Sequence, residues 1–106
     1  MPKYLLQVTY TADGAKGLMK DGGTKRRKVA QKLLEGVGGK LETFYFAFGA
    51  TDVFAIADLP DNSSVAAAAL TLAGSGAATA VTTVLISPEE IDQAAKKAVP
   101  YTPPGR

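Results

Sequence analysis

Tyr10, Tyr45 and Asp52 are the residues of this sequence best suited to acid–base chemistry. Histidine and cysteine are both absent from the 106 residues. That removes the usual general base near neutral pH, the commonest metal ligand and the Ser-His and Cys-His nucleophile pairs. It also excludes thiolate metal sites and disulfides. Proton transfer would therefore fall to Asp, Glu, Tyr or Lys with a shifted pKa. Asp52 follows the short link Phe48-Gly49-Ala50-Thr51 and precedes an apolar run. One reading makes its carboxylate an acceptor for the backbone N–H groups of Gly49–Thr51, fixing the register of a hairpin. The other places it at the mouth of a cavity between sheet and helices, with a raised pKa. Tyr10 and Tyr45 could offer hydroxyls to a ligand, or could be core residues with one satisfied polar tip. With Thr11 and Thr51 beside them, and Arg26 for an anionic group, these form the ligand-binding set: Tyr10, Thr11, Tyr45, Thr51, Asp52 and Arg26. No metal site and no cofactor is expected.

Lys25-Arg26-Arg27-Lys28 is the most unusual local feature. In the first turn of a helix, cations oppose the macrodipole at ~0.3–1 kcal/mol each. The run could mark an anion site, in which helix N–H groups and a guanidinium act together. It could lie deeper in a helix that starts earlier, or be an ordinary solvated face. Asp21-Gly22-Gly23 lacks the lysine–hydroxyl pair of a phosphate loop, and Gly74-Ser75-Gly76 is a helix stop and not a nucleotide motif.

The elements that must position these residues follow from periodicity. Tyr4 to Thr11 alternates as a strand, with Tyr4, Leu6, Val8 and Tyr10 on one face. Asp13 to Lys20 reads as a short helix with Leu18 and Met19 as its apolar contacts. Thr24 caps a second helix, whose stripe Val29, Ala30, Leu33, Leu34 and Val37 ends at Gly38 or Gly39. Lys40 to Phe48 and Asp52 to Leu59 form an antiparallel hairpin. A helix over Ser64 to Ala73, a strand over Ala77 to Ile86 and a helix over Ser87 to Val99 complete the pattern. The last helix has the strongest start: a serine cap, proline at the first position, and glutamate three after the cap.

The order β-α-β-β-α-β plus a C-terminal helix is the ferredoxin-like plan, an α+β fold with a four-stranded antiparallel sheet. Residues 1–99 form one domain, and the proline-rich segment 100–106 is a tail. The hairpin is apolar on both faces. Phe44, Phe46 and Phe48 lie on one side of its first strand and Leu41, Tyr45 and Ala47 on the other; Val53, Ala55 and Ala57 oppose Phe54 and Ile56 on its second. Helices cover one face only, so the other predicts a second copy packed sheet against sheet, a homodimer or a higher homo-oligomer. The alternative is a monomer whose C-terminal helix covers that face.

The chain resembles the GYD-domain family of small bacterial proteins, within the broader group of dimeric α+β barrels. The resemblance rests on Tyr10-Thr11-Ala12-Asp13-Gly14, Gly38-Gly39-Lys40-Leu41 with Phe44-Tyr45, Gly49-Ala50-Thr51-Asp52-Val53, Leu59-Pro60-Asp61 and Gly74-Ser75-Gly76. Thr51 stands at the tyrosine of the Gly-Tyr-Asp signature, which removes the aromatic hydroxyl and weakens any role carried over for it. The resemblance implies the fold and the dimer, with no assigned reaction. Three functions remain open. The first is a binding or accessory dimer for a small organic ligand. The second is a cofactor-independent enzyme, like the related barrels that oxidise or isomerise aromatic compounds. The third is a regulatory module contacting a partner through its basic helix. A net charge of +2 gives no reason to expect nucleic acid. With no membrane span and no signal-peptide run at the N-terminus, a cytoplasmic location is expected.

Overall fold

Strong alternation makes β1 (Lys3–Tyr10) a two-faced strand, and it becomes the partner of two others. The computed structural model describes all 106 residues. After β1 come α1 (Ala12–Asp21), α2 (Gly23–Glu35), the hairpin β2 (Lys40–Phe46) and β3 (Val53–Asp58), α3 (Asn62–Gly74), β4 (Ala78–Leu85) and α4 (Pro88–Ala95). The sheet runs β2-β3-β1-β4 with every neighbouring pair antiparallel, the ferredoxin-like order. Gly38 takes φ 80° just after α2, and the Gly39 N–H returns to the Leu34 carbonyl at 2.8 Å, so the chain turns sharply into β2.

The helix-facing side of the sheet carries the core. Tyr4, Leu34, Ala57, Leu59, Val65 and Ala68 are buried together, with Leu6, Leu33, Val37 and Leu41 packed around them. The Tyr4 hydroxyl donates to Asn62 Oδ1 at 2.8 Å, so this core tyrosine keeps its polar tip satisfied.

Several local expectations are corrected. The register shift between Leu41 and Thr43 is a β-bulge, which puts Leu41 on the helix side with Phe44. Strict alternation had placed these two on opposite faces, and the extra residue reverses that. The first hairpin strand ends at Phe46; Phe48 belongs to the link and is fully exposed. Met19 also faces solvent. Thr24 is not the cap of α2: Gly22 is, with no side-chain bond, because α1 and α2 are separated by that single residue. The last helix stops at Ala95, short of Val99, and buries none of its residues.

The uncovered face of the sheet presents Leu5, Tyr45, Phe54, Ile56, Val81 and Leu85, interspersed with Gln7, Thr9, Thr43, Thr79 and Thr83. Tyr45 is 70% and Val81 65% exposed there. At one end of this face Lys3 bridges Asp58 at 3.0 Å and Glu42 at 3.2 Å, tying β1 to both strands of the hairpin.

Candidate functional site

Between the sheet and helices α2 and α3 lies an apolar cleft. Leu6, Val8, Phe44 and Val53 rise from the sheet to meet Leu33 of α2 and Leu72 of α3. About 80 Å³ of it is open to a water-sized sphere. Its origin is compositional. Ala30, Ala68 and Ala69 on the helices face Ala55 and Ala80 on the sheet, and two small residues across a layer cannot fill the gap that larger pairs would. Arg26 is the one charged residue in its walls, which Tyr10 also lines. The Arg26 guanidinium lies 3.6 Å from Asp21 Oδ2, a loose ion pair that leaves most of its donors free.

Tyr10 also borders a second, shallower groove at the hairpin tip, shared with Leu18, Phe46, Phe48 and Asp52. Contrary to the hairpin-register expectation, Asp52 does not hold the N–H groups of the Gly49–Thr51 link. Its Oδ2 accepts the Tyr10 N–H at 2.8 Å. The reason lies in the ladder. The Asp52 N–H bonds the Val8 carbonyl at 2.9 Å, and then the chain leaves the sheet into the link. The next N–H of β1 on that side, Tyr10, has lost its backbone partner, and the Asp52 carboxylate replaces it. The link itself is closed by backbone, with the Ala47 N–H on the Asp52 carbonyl at 2.8 Å.

Thr11 is a structural knot. Its hydroxyl caps α1 by accepting the Gly14 N–H at 3.1 Å and donates to the Gly76 carbonyl at 2.8 Å; its own N–H reaches the Ala77 carbonyl at 2.9 Å. Thr51 adjoins Asp52 and lines neither cavity. Tyr45 points away from both, onto the uncovered face. The fold therefore brings together Tyr10 with Arg26 at the cleft and Tyr10 with Asp52 at the tip, and separates Tyr45 from them. In the basic run, Asp21 from the preceding helix lies 3.4 Å from Lys25 Nζ as well as close to Arg26. A carboxylate at the end of α1 thus offsets the unfavourable cations at the start of α2.

No group of three or more acidic, histidine or cysteine side chains could hold a metal ion. No helix is long and apolar enough to cross a membrane. The sequence led to the expectation of a cavity between sheet and helices but not to most of the residues that wall it. Their signal was the run Val65-Ala66-Ala67-Ala68-Ala69-Leu70, small residues on every side of a helix that must pack on a sheet.

A family model for the GYD domain matches residues 4–95. No curated protein and no solved structure matches the chain.

Proposed function

The chain belongs to the GYD-domain family, and from that premise we propose that it is a homodimeric binding protein for a small, largely apolar organic acid. The cleft carries this reading. Its walls follow the pattern of small-molecule sites, apolar surface with few polar groups. Arg26 supplies the only full charge, so the ligand group that gains most from entering is an anion. Tyr10 lines the same cleft. Of the candidate acid–base groups only Tyr10 and Asp52 meet, and there the Asp52 carboxylate is committed to the Tyr10 N–H, while Tyr45 lies on the other face of the sheet. This favours binding over turnover.

Pairing through the uncovered sheet face completes the reading. The molecule exposes 7389 Å² of surface at 11.0 kDa, against roughly 5,600 Å² for a compact monomer of that mass. The surplus belongs both to the uncovered sheet face and to the extended α4 and tail.

Fluorescent probes test the ligand class. An anionic apolar dye, anilinonaphthalene sulfonate, should bind saturably and be displaced by small aromatic carboxylates. Arg26→Leu should weaken the anionic dye about tenfold, the loss of one charge-assisted contact, while a neutral analogue, phenylnaphthylamine, binds as before. Ala69→Phe, which fills the cleft, should abolish both. If Ala69→Phe binds the dyes like the natural chain, the cleft is not the site and the proposal fails.

A further inference from the structure

We propose that α4 of one copy docks into the groove between α2 and β2 of a second copy, exchanging C-terminal helices across the dimer. This rests on the sheet-to-sheet pairing proposed above. α4 has a complete local start: Ser87 Oγ accepts the Glu90 N–H at 3.2 Å, and Pro88 opens the helix. Yet it buries nothing on its own domain. Ile91 is 53% exposed, and Val99 and Tyr101 beyond the helix are similarly bare. A helix of 8 residues is marginal in water and draws its stability from packing its apolar stripe. The molecule is correspondingly drawn out, 57 Å along its longest axis, with a radius of gyration of 17.0 Å against roughly 13 Å for a compact domain of this length.

The proposed seat is formed by Arg27 and Gln31 of α2 and by Leu41, Thr43, Phe44 and Tyr45 of β2, an edge strand. Glu42 also lines it, but Lys3 already engages that carboxylate. Arg27 and Lys28 have no acidic partner in their own chain. α4 carries the complement, Glu89 and Glu90 in its first turn and Asp92 beside Ile91. Topology brings the two together. A two-fold axis between the sheets and along the strands sets the β4 edge of each copy over the β2 edge of the other. β4 leaves the sheet at Leu85, which is level with Lys3, Asp58 and Lys40, the end where β2 begins. α4 therefore emerges at the partner's groove, and it is far from the equivalent groove of its own chain, which lies at the opposite edge.

Sedimentation equilibrium of the full chain tests this. Ile91→Asp should weaken dimerisation by about tenfold or more, the loss of a buried aliphatic contact, without lowering the melting temperature of the monomer. Arg27→Glu should weaken it several-fold. Glu89→Arg with Glu90→Arg should do the same, and the three changes combined should recover most of the lost affinity. A natural chain that dimerises while all these variants keep its affinity overturns the helix exchange alone. A natural chain that stays monomeric at every concentration overturns the dimer with it.

Discussion

At the residue scale, two of the stretches that carry the family resemblance are joints rather than chemistry. Asp52 closes the open end of the β1–β3 ladder through the Tyr10 N–H. Asp52→Ala leaves that half-buried donor without its partner and should cost ~1–3 kcal/mol, a fall of several degrees in melting temperature. Asp52→Asn should cost less, because the amide oxygen still accepts. Equal, native-like melts of both variants would dismiss the clamp and return Asp52 to the ligand groove. Gly14 has a different constraint. A Cβ there would collide with the Ala77 carbonyl oxygen, at the point where Thr11 ties the start of α1 to the entry of β4. Gly14→Ala should therefore destabilise by ~1–3 kcal/mol despite alanine's better helix propensity, and thermal melts would show it.

At the element scale, α3 depends on its N-cap. Asp61 caps it, and the Ser64 hydroxyl, the Ser64 N–H and the Ser63 hydroxyl all donate to its carboxylate, holding its pKa below the ordinary value. A depressed folded pKa contributes stability above the unfolded value, and this is lost as pH falls through the folded one. Asp61→Asn should thus narrow the stability gap to the natural chain as acid titration proceeds, with the two curves meeting at low pH. Lys3 behaves in the opposite sense. Its pKa is raised by hydrogen bonds to Asp58 and Glu42, so its contribution is present at neutral pH and fades only at strongly alkaline pH. Lys3→Met should match the natural chain more closely as the solution becomes strongly alkaline.

At the scale of the whole molecule, the proposed dimer rests on the uncovered face. Phe46 lies with Phe44 on the helix side, packed edge-to-face on it at 5.3 Å, so it does not report on that face. Phe54 is the residue to test, since it stands on the uncovered face opposite Tyr45. Phe54→Asp should give a folded, soluble monomer, because its charge meets water in the monomer and a buried layer in the dimer. An unchanged sedimentation coefficient at micromolar protein would remove that face from the interface. Deleting residues 100–106 should leave the melting temperature nearly unchanged, because almost all of that tail is exposed; unfolding on deletion would make it an ordered arm.

The order of strands and helices was legible in the sequence because it is written in local terms: period-two alternation in β1, the serine–proline start of α4, and glycines such as Gly38 where the backbone must turn left-handed. Those signals depend only on neighbours along the chain. They also sufficed for the ferredoxin-like plan, since short links leave few ways to pair the strands. What they could not decide is anything set by residues distant in sequence. The bulge at Leu41–Thr43 reversed a face. Asp52 turned from its own link to Tyr10, 42 positions away. The cleft exists because alanines of α2 and α3 meet alanines of β3 and β4 across a layer. Each of these depends on which groups the fold opposes across space, and one-dimensional spacing does not carry that information.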